Sequence, residues 1–285
     1  MLITDHKAPP NSKLQQPLQM KTPFLSLVIT TILILNVNAS TVAHYHLDND
    51  YLDSGGNDLH GTGTSNLSFT TANAPSADAG THALNARNDY DFASVAHDAL
   101  FTPNTFTLEA MVRVPVNYTN QSPTIGFTSQ YVAHKQRSTG SGNGLSSYGL
   151  SIDQQSGVVH GVGSFTTGNA GISSTTTIND NEWHHIALTF NGSSLILYVD
   201  HVAANQIDNI SGTVRHGVAP FLIGAGNFNT PTGSGSFRRN FQGDIDEVRV
   251  SDVALNSSDF LTVPEPSSSL LFGIAITSLL LRRRH

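Results

Sequence analysis

The amino-acid sequence predicts an all-β protein built as an antiparallel sandwich. Three observations support this fold class. Charged residues make up only 12% of the 285 residues, while Gly, Ser, Thr and Asn are abundant, which is typical of β-domains with many turns and few surface helices. No long stretch repeats apolar residues at helical spacing, and short alternating runs recur between turn clusters instead. The chain has no cysteine, so this fold does not depend on disulfides.

The strands are predicted from alternation and turn chemistry. Residues 107–114 (TLEAMVRV) alternate apolar positions with more polar ones. The runs 184–190 (HHIALTF) and 195–200 (LILYVD) flank the turn Asn191-Gly192-Ser193-Ser194, which predicts a β-hairpin. Two further strands are predicted at FLIGAG (221–226) and GDIDEVRV (243–250).

Residues 1–39 are interpreted as an N-terminal extension and signal peptide. Lys21 precedes an apolar run from Phe24 to Leu35, and Val37-Asn38-Ala39 resembles a signal peptidase site. Met1 and Met20 are both candidate starts. A retained anchor helix is the alternative, although the apolar run is short for a membrane span.

Residues 263–285 are interpreted as a sorting and anchor segment. Val263-Pro264-Glu265-Pro266 is followed by an apolar run, Leu270–Leu281, and by Arg282–Arg284. Twelve helical residues cover about 18 Å, short of a hydrocarbon core of about 30 Å. The arrangement resembles the PEP-CTERM sorting signal of Gram-negative bacteria. That resemblance implies transient contact with the inner membrane, processing by an exosortase, and delivery to the cell surface or extracellular matrix. A plain tail anchor is the alternative.

The remaining body, residues 40–262, is acidic. Removing both ends takes away two acidic and six basic residues, which changes the net charge from −7 to about −11. Nucleic-acid binding needs a basic surface, so the charge excludes that class of partner.

Four segments of the body follow one another in an order known from one superfamily. They are VAHYHLDNDYLDSGGNDLHGTG (42–63), FTLEAMVRV (106–114), NEWHHIALTFNGSSLILYVDHVAA (181–204) and FQGDIDEVRVSDVALNSSDF (241–260). Together they resemble the laminin-G-like (LamG) domains of the concanavalin A-like lectin/glucanase superfamily, with His201 where the family usually has Gly. The stretch 118–177 matches poorly and is rich in Gly and Thr, so we expect long loops there.

The resemblance implies a jelly-roll sandwich of two antiparallel sheets whose first and last strands pair. Tyr45 and Leu47 would then lie in the core near Ile245 and Val248. Trp183, the single tryptophan, is expected to fill the core at the base of the hairpin.

Catalytic motifs are weak in this sequence. Retaining glycosidases need two carboxyl groups about 5–5.5 Å apart, and enzymes of the superfamily carry them at alternate positions of one strand. Asp244 and Asp246 share a strand face, whereas alternation directs Glu247 to the other face. A divergent glycoside hydrolase or lyase is therefore the alternative, and the chain is not expected to be an enzyme.

Two metal sites are considered. Asp48, Asp53 and Asn57 lie in one Gly-containing loop, and the fold should bring Asp246 beside it, so the sequence predicts a structural calcium at these four residues. The alternative is a set of turn-forming side chains that bond their own backbone. His44 and His46 share a strand face, but a zinc site there needs a further ligand that the sequence does not identify. His184 and His185, as neighbours on a strand, should point to opposite faces and not share an ion.

The sequence thus indicates a non-catalytic, exported module that binds carbohydrate or another extracellular polymer. A purely structural matrix protein with no specific ligand is a further alternative. Side chains that could contact a sugar are predicted at Tyr131, Tyr148, Phe165, Phe228, Phe237, Arg238 and Arg239.

Overall fold

The computed structural model describes residues 41–65, 67–71, 80–86, 91–116, 129–137, 146–226 and 240–261, all within one compact unit. The predicted signal helix and the C-terminal apolar helix lie outside these residues, and the predicted boundaries at 39/40 and 262/263 stay predictions. No helix within the described ranges is long and apolar enough to cross a membrane.

Two antiparallel sheets make up the described part of the chain, as predicted. The first sheet contains β1 (Thr41–Tyr45), β3 (Ser68–Thr70), β4 (Ala83–Ala86), β6 (Phe106–Arg113), β11 (Trp183–Phe190), β12 (Leu195–Val199), β13 (Val202–Ile207) and β15 (Gly243–Ser251). The second contains β2 (Gly61–Gly63), β5 (Ala93–Val95), β7 (Ser129–Gln136), β8 (Ser146–Asp153), β9 (Val158–Phe165), β10 (Gly168–Thr177) and β14 (Phe221–Ile223). Two single-turn 3₁₀ helices, Ala99–Phe101 and Ser257–Asp259, complete the described elements.

The strand order is that of a jelly roll. The first sheet runs β13-β12-β11-β6-β15-β4-β3, with β1 also paired to β15, and the second runs β10-β9-β8-β7-β14-β5-β2. The predicted pairing of the first and last strands is confirmed, because Tyr45 lies opposite Val248. Tyr45, Leu47, Ile245 and Val248 all belong to the main core, as expected.

The predicted hairpin is also confirmed. β11 and β12 pair in register, and the Asn191 side chain accepts the backbone N–H groups of Ser193 and Ser194 in the turn. In the next turn Asp200 and His201 have φ of +48° and +65°. Two successive positive φ angles describe a type I′ turn, which explains why glycine is the usual residue where this chain has His201.

The expectation of long loops over 118–177 is wrong for the described part of that stretch. β7, β8, β9 and β10 lie there and form most of the second sheet. A Cβ at Gly161 would lie 2.5 Å from Leu188, and one at Gly163 would lie 2.8 Å from the Phe165 ring. These glycines give larger side chains room to pack inside the sandwich, so they are not turn residues.

The two sheets are joined by aromatic side chains. The rings of Phe106 and Tyr148 lie 4.5 Å apart across the core, and those of Phe190 and Phe165 lie 4.6 Å apart. Such pairs contribute about 0.5–1.5 kcal/mol beyond their buried area. The buried Tyr148 hydroxyl donates to the Phe101 carbonyl, so this core polar group is satisfied.

A β-bulge interrupts the first sheet where the candidate site forms. Asp246 pairs with Met111 and Arg249 with Glu109, so β15 has one more residue than β6 between these pairs. On its other edge β15 pairs first with β4 and then with β1. The bulge therefore lies where β4 gives way to β1, and Glu247 there has a φ of +50°.

Candidate functional site

The outer face of the first sheet collects the charged residues of three central strands. β6 sends its even-numbered residues into the core and its odd-numbered ones, among them Glu109 and Arg113, to the outer face. The same alternation places His185 of β11 and His44 of β1 on that face. Charged groups that share one face of adjacent strands can pair directly, and here they form two histidine–glutamate clusters and one arginine–aspartate contact.

The first, which we call the bulge cluster, consists of His44, His46 and Glu247. The Nε2 atom of His44 lies 2.7 Å from Oε2 of Glu247, and Nδ1 of His46 lies 3.1 Å from the same oxygen. The two imidazole rings are 4.3 Å apart at a 53° angle. The Glu247 side chain is 1% exposed, that of His44 12% and that of His46 32%. The cluster is thus closed at the carboxylate and reaches solvent at His46.

Glu247 is held in its ionised form. Burial alone would raise the pKa of its carboxyl group, but the hydrogen bonds and charges of His44 and His46 outweigh burial and lower that pKa to about 2. Strict alternation directs Glu247 away from the Asp244 and Asp246 face, yet the bulge breaks the alternation, so Glu247 meets the two histidines. The predicted direction of the Glu247 side chain is therefore wrong, because the extra residue of a bulge shifts the alternation of side chains between the two faces of the strand.

The second, which we call the tail cluster, consists of Glu109, His185 and Arg249. Oε2 of Glu109 lies 2.8 Å from Nε2 of His185 and accepts the backbone N–H of Leu261, while Oε1 accepts Nε of Arg249 at 2.7 Å. Burial raises the pKa of Glu109, but the His185 hydrogen bond, the charges of Arg249 and His185, and the Leu261 N–H together lower it. Both Glu109 and His185 are fully buried.

The tail cluster fastens the segment 253–261 to the sheet. Thr107 donates to the Val253 carbonyl and accepts the N–H of Leu255, and Phe260 packs over Ala187 in a small cluster separate from the main core. Glu109 is therefore committed to holding this segment. As predicted, His184 and His185 do not share a site, since His184 pairs instead with Asp180 and Asp200.

A third charged contact occupies the other end of the face. Nε of Arg113 donates to Oδ2 of Asp244 at 2.8 Å, and the Asn85 amide donates to Oδ1 of the same carboxylate at 2.5 Å. The Arg113 guanidinium also lies 5.3 Å from the centre of the Trp183 ring. Trp183 is only half-buried and does not join the core, so its predicted core role is wrong. Trp183 pairs with Arg113 across the two strands, and paired residues point to the same face, so Trp183 lies on the outer face with Arg113.

The four residues of the predicted calcium site are engaged elsewhere. Asp53 accepts four backbone N–H groups, two on each carboxylate oxygen, which fills its acceptor sites. Asp48 accepts the N–H groups of Thr81 and His82, the Asn57 amide donates to the Thr41 and Val42 carbonyls, and Asp246 accepts the N–H of Glu247.

Among the described residues, the His, Asp and Glu side chains that bring three donor atoms within 4.8 Å of one another are His44, His46 and Glu247. Calcium binding at Asp48, Asp53, Asn57 and Asp246 stays a prediction.

The predicted sugar-contacting aromatics are largely unsuited to that role. Tyr148 and Phe165 are core residues, and Tyr131 is 7% exposed, so a ligand on the surface does not reach their rings. Phe228, Phe237, Arg238 and Arg239 lie outside the described residues.

Sequence reasoning missed Glu247 as the partner of the histidine pair. The signal was present, because the predicted pairing of first and last strands brings residues 44–46 beside residues 246–249. The register and the bulge were needed to choose Glu247 over Asp246. Glu109 and His185 were missed as well. Both lie on predicted strands, but the pairing of β6 with β11 that brings them together is known only from the structure.

Comparison with known proteins identifies the domain. A laminin-G-type profile described as the concanavalin A-like lectin/glucanases superfamily matches residues 87–259. The chain belongs to this superfamily. A PEP-CTERM protein-sorting motif matches residues 262–284, so the predicted sorting segment is confirmed. The motif marks an exported protein that an exosortase sorts to the cell surface in Gram-negative bacteria.

Solved structures with the concanavalin A-like sandwich include binding domains of bacterial toxins. The binding domain of Paraclostridial mosquitocidal protein 1 matches with a TM-score of 0.58 and 16% identity, over 77% of this chain and 50% of that chain. The receptor binding domain of botulinum neurotoxin D matches with a TM-score of 0.54 and 11% identity, over 77% of this chain and 51% of that chain. The chain spans about half the length of these toxin domains.

A third similar structure is nearly the same size as the matched region. It is domain 4 of AbnA, an extracellular arabinanase from Geobacillus stearothermophilus, solved in complex with arabinotriose. Its TM-score is 0.54 and its identity 20%, over 77% of this chain and 96% of that chain. At these identities the likeness establishes the fold. A search of curated protein sequences gave no match.

Proposed function

We propose that the chain is a non-catalytic module, displayed on the cell surface or in the extracellular matrix, that binds carbohydrate or another extracellular polymer. The observation that carries the proposal is the joining of a concanavalin A-like sandwich to a PEP-CTERM motif in one chain. Export places the sandwich where polysaccharides are, and a sandwich of this size accommodates an oligosaccharide in the arabinanase domain. The two toxin domains are likewise described as binding domains.

The hydrogen bonds and ion pairs of the outer-face carboxylates support a non-catalytic role. A retaining glycosidase needs two carboxyl groups about 5–5.5 Å apart and available to the substrate. Asp244 is held by Arg113 and Asn85. Glu109 and Glu247 are held by the tail and bulge clusters, and Asp246 accepts the N–H of Glu247. These contacts disfavour the use of the described outer-face carboxylates as an acid and base pair.

A serine–histidine contact in the second sheet does not change this conclusion. Nδ1 of His134 lies 2.8 Å from Oγ of Ser146, but His134 is fully buried and Ser146 is 5% exposed. A nucleophile must reach the bond that it attacks, so this pair is interpreted as a packing contact.

The experiment that tests the proposal measures binding and turnover on the same polymers. The purified full chain is incubated with a panel of soluble and insoluble polysaccharides, and bound protein and released reducing ends are both quantified. We expect retention on at least one polysaccharide without release of reducing ends, and heat-unfolded protein serves as the control.

Other outcomes would support the alternatives. Release of reducing ends that is lost in Asp244→Asn would make the chain a divergent glycoside hydrolase. No retention on any polymer, together with a biofilm defect on deletion of the gene, would make it a purely structural matrix protein. Removal of residues 1–39 by signal peptidase and transient contact of the C-terminal segment with the inner membrane remain parts of the proposal.

A further inference from the structure

We infer that the bulge cluster is a site for a divalent transition-metal ion, with zinc as the best-suited ion. His44, His46 and Glu247 would supply three ligands, and a fourth position would face solvent beside His46. This inference goes beyond the proposed function, because it concerns an ion that joins the first and last strands, whatever polymer the domain binds.

The spacing of the donor atoms carries the inference. A tetrahedral zinc ion with ligands at about 2.0–2.2 Å has neighbouring ligand atoms about 3.3 Å apart. In the bulge cluster Nε2 of His44 and Nδ1 of His46 lie 2.7 and 3.1 Å from Oε2 of Glu247, and all three donor atoms fall within 4.8 Å of one another. Insertion of an ion requires each of these separations to change by no more than about 1.5 Å.

The chemistry of the donors selects the class of ion. Two imidazole nitrogens and one carboxylate oxygen form a ligand set found in zinc sites that keep an open position. Calcium and magnesium prefer shells made of oxygen alone, and imidazole suits zinc and its transition-metal neighbours. The ligand set therefore distinguishes this site from the predicted calcium loop.

The backbone at Glu247 has a conformation that a residue with a side chain does not prefer by itself. Glu247 has a φ of +50°, in a region that costs a residue with a side chain about 1–2 kcal/mol. Such strain persists where the surrounding structure imposes it and is frequent at functional sites. Here the ladder on both edges of β15 imposes it and brings the carboxylate to the end of β1, where His44 lies on the strand and His46 just after it.

Glu247 is not paired with a permanently charged cation among the described residues. Among the described residues that pair with it, the ionisable groups within ion-pair distance are the two histidines, and neither an arginine nor a lysine is among them. Glu109 in the tail cluster differs in this respect, because Arg249 already occupies one of its oxygens. His46 is about one-third exposed, so an ion can enter from solvent without opening the core.

The test uses the full chain after removal of bound metal with a chelator. Zn²⁺ is expected to raise the Tm by several degrees, because an ion that binds the folded state alone stabilises it. Co²⁺, which takes the same tetrahedral geometry, is expected to give an intense visible absorption band that Zn²⁺ then displaces.

Variants assign the effect to the cluster. His46→Gln, at the most exposed of the three ligands, and Glu247→Gln are expected to abolish both the Tm shift and the cobalt band. His82→Gln is the control, because His82 is only partly buried and hydrogen-bonds Asn49 and Thr81 instead of the cluster. No shift and no cobalt band in the unmodified chain would overturn the inference. So would a shift and band that survive in His46→Gln and in Glu247→Gln.

Discussion

The bulge cluster and the tail cluster use the same residue types on the same face of one sheet, yet different groups complete them. In the tail cluster Arg249 and a backbone N–H join His185 around Glu109, and the Glu109 and His185 side chains are fully buried. In the bulge cluster the ion-pair partners of Glu247 among the described residues are two histidines, and one of them reaches solvent. The comparison teaches that a buried carboxylate becomes a clamp when a permanent cation is supplied in the fold. When its partners are histidines, which can be neutral, the carboxylate keeps the capacity to bind a cation from solvent.

The largest effect is expected from breaking the tail cluster. Glu109→Ala leaves Arg249 and His185 without their carboxylate and releases the N–H of Leu261, so we expect a loss of about 3–5 kcal/mol in the free energy of unfolding. Urea denaturation measures this loss. Glu182→Gln, at an exposed glutamate, is the control and should stay within about 0.5 kcal/mol of the unmodified protein. A loss below about 1 kcal/mol for Glu109→Ala would contradict the role of the cluster as a clamp.

A smaller effect is expected at the bulge cluster in metal-free protein. Glu247→Gln keeps the shape of the side chain but removes the charge that both histidines contact, so we expect a loss of about 1.5–3 kcal/mol. The pH dependence identifies the cause. The folded-state pKa of Glu247 is about 2, below its unfolded value, so its stabilisation is present above the unfolded pKa and is lost as pH falls toward 2.

Urea denaturation at pH 7 and at several values between pH 5 and pH 2 checks this second prediction. The Glu247→Gln variant should lose less stability over that range than the unmodified protein does. If the free energy of unfolding changed equally with pH in the two proteins, the ionised Glu247 carboxylate would not be stabilised by the histidines.

The smallest effect is expected at a third, exposed histidine–carboxylate contact. His184 lies between Asp180 and Asp200, both about half exposed. Burial lowers the pKa of His184, but the hydrogen bonds and charges of the two aspartates outweigh burial and raise it. Its stabilisation is therefore full below the unfolded pKa of about 6.5 and is lost as pH rises through the higher folded value. His184→Gln should cost at most about 1 kcal/mol at pH 6.

Salt sharpens this last comparison. Exposed ion pairs are screened by salt, whereas buried ones are screened much less. The effect of His184→Gln on thermal stability should shrink between low salt and 1 M NaCl, and the effect of Glu109→Ala should change little. Equal salt sensitivity of the two variants would contradict the ranking by burial.

Local patterns in the sequence were sufficient to predict the sandwich and several of its strands. Alternation in 107–114 and the Asn191 turn specify strands and a hairpin, because side-chain period and turn chemistry act over a few residues. The PEP-CTERM motif was also readable, since it is a short contiguous signal. Strands β7 to β10 of the second sheet were not predicted. In β9, Gly161 makes room for Leu188 of the facing sheet and Gly163 makes room for Phe165 of the same strand, and neither contact is visible in a local pattern.

The tertiary structure decided how the charged residues combine. The sequence placed His44 and His46 on one face by alternation, but Glu247 joins them through a bulge that depends on the pairing of β15 with strands on both edges. Asp53 was predicted as a calcium ligand from its place in a loop rich in Asp and Asn. The structure shows that its carboxylate accepts three N–H groups of that loop and the N–H of His44 on β1. Partners more than 200 residues apart, such as His44 and Glu247, meet only when register is fixed, and register follows from burying one face of the whole sheet.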